Sequence, residues 1–203
     1  STLLVTGLED LEIDVLDKTY YEHATPTDST YNLYSEHKIQ ITLNHGDNYY
    51  VDSEEQISLK NGDQNVDFTF TSSSNYVTIE FVAPKESENL VLSVKPKAYT
   101  KCKITISTES EKYIKVQTSS GGWSYKDFDT KNNTIKIDSS IRIKYIGGDS
   151  GYNTDSMKYL VIRSATDNKL LKCYKFGNYS YDYYEYIITC DIILSTSTSE
   201  VKQ

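Results

Sequence analysis

The chain runs to 203 residues and is acidic, with 29 Asp and Glu against 21 Lys and Arg and a formal charge of −8. That balance argues against a partner recognised through its phosphates, because tracking a nucleic-acid backbone needs clustered cations. The hydrophobic fraction is 37%, enough Ile, Leu, Val and aromatic mass for two compact cores, and no apolar run approaches the ~18 residues of a membrane span. Tyrosine dominates the aromatics, at 19 against 5 Phe and 1 Trp. Set among Ser, Thr, Asn, Ile and Val, such rings suit half-buried strands and contact surfaces.

Taken in order, the chain reads with a period of two. Leu11, Ile13 and Val15 alternate with Glu12 and Asp14, which favours a strand over a helix built on Leu8, Leu11 and Val15. Residues 22–35 hold Pro26 and several Ser and Thr, and read as a long loop. Strands follow at Ile39-Ile41-Leu43, Val66-Phe68-Phe70, Val77-Ile79-Phe81 and Leu90-Leu92-Val94, each with one wet face. Between them lie turn residues, including Asn61-Gly62, which predicts a type I′ hairpin. Lys95-Pro96-Lys97-Ala98 reads as a short linker, after which the pattern restarts.

The second half predicts strands at Cys102-Ile104-Ile106, Ile114-Val116, Ile135-Ile137, Ile141-Ile143-Tyr145, Tyr159–Ile162 and Leu171-Cys173. A last stretch from Tyr184 to Leu194 reads as one long strand, bent or bulged near Tyr183–Glu185 because it exceeds the usual length. The fold class this implies is all-β: two tandem immunoglobulin-like β-sandwich domains, residues 1–97 and 98–203. Neither a basic-then-apolar leader nor a tag is visible; Ser1 fits a removed initiator Met or a cleaved leader.

Few residues suggest chemistry. Gly148-Asp149-Ser150-Gly151 is similar to the nucleophile loop of chymotrypsin-like serine proteases, and His45 precedes Ser150 in that family's order. Tyr152 and the Asn44-His45-Gly46 turn depart from the pattern, and no Asp stands out to orient the histidine, so the string reads as an ordinary turn with no catalytic residue assigned. Asp149, Asn153 and Asp155 make the same loop rich in oxygen ligands for a hard cation, but without the glycine and closing glutamate of an EF-hand. No metal and no cofactor are assigned. His23, His37 and His45 lack a zinc-site spacing. Cys102, Cys173 and Cys190 are an odd number, read as buried thiols made in a reducing compartment, with a Cys173–Cys190 bridge left open.

The tyrosines carry the clearest surface signal. Tyr184 and Tyr186 fall on the face of Ile188, Cys190, Ile192 and Leu194, which places Tyr179, Tyr181 and Tyr183 on the opposite face. That ladder is read three ways: cross-strand packing that shields an edge, a subunit contact, or a platform for a glycan. Trp123, with Tyr125, follows Gly121-Gly122 and is either the pin of the second core or an anchor at a loop tip.

In composition, domain size and leaderless start, the chain resembles the tandem immunoglobulin-like proteins of tailed bacteriophage virions, such as capsid decorations, head fibres, collar and tail components. The resemblance implies a non-enzymatic structural protein made in a bacterial cytoplasm and carried on the virion. It also implies other virion proteins and further copies of itself as partners, in a homo-oligomer. The alternative is a secreted or cell-surface adhesin whose β-sandwich binds carbohydrate or protein.

Overall fold

The computed structural model describes residues 1–86, 89–147, 158–177 and 182–203. The chain divides into two compact units, Ser1–Tyr99 and Thr100–Gln203. Each is a β-sandwich in which two sheets close over a core of their own.

In the first unit the strands are β1 (Thr2–Thr6), β2 (Glu12–Asp17), β3 (Glu22–His23), β4 (Thr30–Asn32), β5 (Lys38–Asn44) and β6 (Tyr49–Tyr50). They continue with β7 (Ile57–Asn61), β8 (Gln64–Asn65), β9 (Thr69–Ser72), β10 (Tyr76–Val82), β11 (Leu90–Val94) and β12 (Lys97–Ala98). One sheet has the order β4-β1-β11-β7-β8, and the other β3-β2-β5-β10-β9. The period-two pattern decides which faces meet. In β5 and β10, Ile39, Ile41 and Leu43 stand opposite Phe81, Ile79 and Val77, all buried, while Gln40 and Thr42 alternate outward. Leu3 and Val5 of β1 lie beside Leu90 and Leu92 of β11 and run parallel to them. Burying each such side chain stabilises the fold by about 1.5–3 kcal/mol.

The second unit contains β13 (Lys101–Ile106), β14 (Ile114–Gly121), β15 (Ser124–Asp127), β16 (Thr134–Lys136) and β17 (Ser140–Tyr145). It ends with β18 (Tyr159–Ser164), β19 (Leu170–Lys175), β20 (Tyr183–Ile187) and β21 (Ile192–Ser197). Its sheets are β16-β13-β21-β18-β19 and β15-β14-β17-β20. The order of strands in the two main sheets repeats that of the first unit. In both, the opening strand runs parallel to the closing one (β1 with β11, β13 with β21). In both, the second strand forms a hairpin with the third and pairs on its other side with a long central strand (β5 or β17). Among the described residues, the second unit has no counterpart of β9 or of the β6–β12 pair.

Several expectations change. The stretch from Tyr184 to Leu194 is two strands in two different sheets, joined by a corner at residues 188–191. Ile188 exchanges backbone hydrogen bonds with Asp138 and Ser139, and the Asp191 carboxylate accepts from the Lys103 amide at 2.7 Å. The corner was invisible to alternation because both sheets face one core, so inward parity runs through it unbroken. Residues 22–35 contain β3 and β4 instead of being wholly loop. The segment read as a linker is held by the first unit: β12 pairs with β6, and Lys95 exchanges hydrogen bonds with Gln56. The unit boundary therefore falls after Tyr99. At the β7–β8 hairpin Asn61 pairs with Gln64, so the central residues are Gly62-Asp63. Only Gly62 has positive φ (59°), the arrangement of a II′ turn.

Cys102 is buried, Cys173 and Cys190 are half-buried, and none of the three is bridged. Burial pushes the Cys102 thiol up, away from the reactive thiolate. Alkylation of the native protein is expected to reach Cys173 and Cys190 before Cys102, followed by peptide mapping. Labelling of Cys102 first would contradict its place beside Ile104 in the core.

Candidate functional site: an aromatic face on the second unit

The β14–β15 hairpin turns at Gly121 and Gly122, whose φ values are +113° and +55°. Nothing lies within 4 Å of where a Cβ would stand at either position, so the glycines serve the backbone turn and not a close approach. The turn carries Trp123 at its tip with the side chain 100% exposed. Trp123 thus lies exposed at the loop tip and takes no part in the second core.

Behind the tip, strand register assembles the outer face of the sheet. Tyr125 stands opposite Ser119, Gln117 opposite Arg142, and Arg142 opposite Glu185, with Tyr183 beside Lys144. The Arg142 guanidinium lies 3.7 Å from the ring centroids of both Tyr125 and Tyr183, held between the two. Its Nη2 donates to Glu185 Oε1 at 3.1 Å. Each cation–π contact contributes about 0.5–2 kcal/mol depending on desolvation, so the pair fixes both rings. Asp127 accepts from Gln117 Nε2 at 2.9 Å, with Lys115 Nζ at 3.2 Å. Those two contacts hold its carboxyl below the usual range. On the edge strand β20, Ile187 is 57% exposed.

The result is a face of Trp123, Tyr125, Tyr183 and Ile187 set in paired charges. Rigid rings of this kind are what protein interfaces use as anchors. The predicted parity places Tyr183 outward, opposite the core-packed Tyr184 and Tyr186. Tyr179, Tyr181, Asp149, Ser150, Asn153 and Asp155 lie outside the described residues. Among the described residues no group of three or more His, Cys, Asp or Glu is placed to hold a metal ion. The Nε2–H of His45 donates to the Val51 carbonyl at 2.8 Å, and its Nδ1 faces the Tyr99 hydroxyl at 3.5 Å.

Sequence reasoning missed two features. Arg142 was not singled out, since only cross-strand register shows that it links Tyr125 to Tyr183. A cluster of Asp17, Tyr20, Tyr34 and His37 in the first unit was also missed, because its members are spread across a stretch read largely as loop.

No family model matches the chain, and no curated protein matches it. Two solved structures are similar over nearly its whole length, both of the C-terminal fragment of the pilus adhesin SpaC from Lactobacillus rhamnosus GG. The iodide-soaked one is 9% identical and covers 100% of this chain and 99% of its own, at a TM-score of 0.34. The other is 13% identical and covers 96% and 95%, at a TM-score of 0.31. Likeness at that level says nothing of function, and the fold rests on the sheets themselves.

Proposed function

We propose that this chain is a non-enzymatic binding protein displayed on a surface, which docks a protein partner on the outer face of the β15-β14-β17-β20 sheet. The observation that carries this reading is Trp123, fully exposed on a glycine turn beside an arginine clamped between two tyrosines. A solvated indole at a hairpin tip contributes nothing to the core beneath it, and interface hot spots are enriched in Trp, Tyr and Arg. A cell-surface adhesin is one setting for such a protein. The other is a bacteriophage virion, and the three unbridged thiols favour it, since free cysteines suit assembly in a reducing cytoplasm.

The test is Trp123→Ala in the full chain, alone and with Ile187→Ser. Melting is expected to stay unchanged, because both side chains point into solvent. Self-association by sedimentation, or incorporation into purified particles or cell envelopes, is expected to fall about tenfold or more, as for a hot spot of ~2 kcal/mol. Unchanged association in both assays would sink the docking face. Recovery of the protein in particles but not in envelopes would favour the virion setting, and the reverse the adhesin.

A further inference from the structure

We infer that the first unit carries a binding site for a neutral sugar, formed by Tyr20, Tyr34 and the recess beside them. The site is independent of the docking face on the second unit. It begins with Asp17, buried at the end of β2. One carboxylate oxygen of Asp17 accepts from the amides of Thr19 at 2.8 Å and Tyr20 at 3.2 Å, and the other accepts from His37 Nδ1 at 2.6 Å. Burial pushes this carboxyl up, but the hydrogen bonds from His37, Thr19 and Tyr20 outweigh it and hold the group ionised below the usual range. With Nδ1–H committed to Asp17, the imidazole is fixed in orientation and becomes a wall for two rings. Tyr20 meets it edge-on at 4.6 Å and Tyr34 lies tilted at 5.2 Å, while the two tyrosines touch each other at 5.9 Å.

These rings are locked but uncovered: Tyr20 is 60% and Tyr34 61% exposed. Next to them is a recess of about 190 Å³, with Asp17, Leu33 and Ile39 at its floor and Glu22, Asn32 and Tyr34 at its rim. The backbone is strained on both sides of the cluster. Tyr21 and Glu36 hold φ of +57° and +66°, which non-glycine residues rarely adopt and which gathers at functional sites.

The chemistry of the lining chooses the ligand. A pyranose presents an apolar C–H face and a rim of hydroxyls. The first matches the tyrosine faces. The second matches two carboxylates and an amide, which accept from and donate to neighbouring hydroxyls. His23 also lines the recess, but two carboxylates, Asp17 and Glu22, in a chain of charge −8 select against anionic sugars. The recess is smaller than the ~300–1,000 Å³ of ordinary ligand pockets. It therefore holds one sugar ring, with Tyr20 as the stacking surface for the next. The β2–β3 turn that carries Tyr20 and Tyr21 is the counterpart of the β14–β15 turn that carries Trp123, so both units place exposed aromatics on the same hairpin.

The experiment is an NMR titration of the full chain with the methyl glycosides of glucose, galactose, mannose and N-acetylglucosamine. At least one is expected to give saturable shifts at the His37 imidazole and the Tyr20 and Tyr34 rings, with millimolar affinity. Tyr34→Ala is expected to weaken that response about tenfold or more, and Asn32→Ala to weaken it while leaving the rings in place. The His37 imidazole signal should persist in both variants and report that the fold is intact. Trp123→Ala should bind the sugar as the parent does. No shift with any of the four glycosides, equal shifts in Tyr34→Ala, or a response of the same residues to a tyrosine-rich peptide instead of a sugar would overturn the assignment.

Discussion

Replacing Ile79 or Ile143 with Ala is expected to cost about 2–5 kcal/mol in the unit that holds it. Both side chains are fully buried, at the middle of central strands in their respective sheets. Ile79 lies between Ile41 of β5 and Phe70 of β9, and Ile143 between Val116 of β14 and Tyr184 of β20. Neighbours on rigid strands close only partly over the space left by the lost methyl and methylene groups, so a cavity cost adds to the lost burial. The two cores share no residue. Hydrogen exchange read by mass spectrometry on peptides from each unit should therefore show faster opening where the substitution sits. Equal acceleration in both units after Ile79→Ala would mean that the cores are one cooperative structure.

Gly7→Ala is the second large effect, and its cause is backbone instead of core. Gly7 follows β1 with φ of +78°, and a Cβ there would lie 2.1 Å from the Val94 carbonyl oxygen and 3.2 Å from its carbon. Those atoms belong to the end of β11, the strand parallel to β1, so relief requires the ladder itself to move. The substitution is expected to destabilise by ~3 kcal/mol or more, visible as a lower denaturant midpoint at unchanged slope. Gly122→Ala supplies the control. Its φ is also positive, but nothing surrounds it, so only the left-handed backbone penalty of about 1–2 kcal/mol applies. Equal losses for the two would mean that the contact at Val94 matters little.

What could be read from the chain was whatever alternates with one wet side. Ile39-Ile41-Leu43, Val77-Ile79-Phe81 and Ile141-Ile143-Tyr145 announce their strands because water selects the residues between them. Short strands such as β3, β4 and β12 span two or three residues and have no period to detect. β1 escaped notice because Leu3, Leu4 and Val5 run together, and Leu4 is itself partly exposed. The strand order was hidden for a different reason: nothing local to Leu3 says that its neighbour is Leu90. The same limit governs the sites. Trp123 beside two glycines fitted a pin or an anchor equally well, and only the turn geometry separates them. The clamp on Arg142 depends on register across four strands, and the tyrosine pair at His37 on a fold that returns residue 34 to residue 20. Pattern reveals faces, whereas sites need partners.

The parallel pairing of β1 with β11, and of β13 with β21, has a mechanical consequence. Because β1 and β11 run the same way side by side, a pull on the two ends of the first unit drags these strands in opposite directions along their common axis. The ladder from Leu3–Leu90 to Thr6–Ser93 is then loaded all at once, in shear, and cannot be peeled one bond at a time. The second unit repeats the device at Ile104–Ile192 through Ile106–Leu194. A chain built this way resists stretching between its ends far better than pulling across its sheets, which suits a tether that must hold under load.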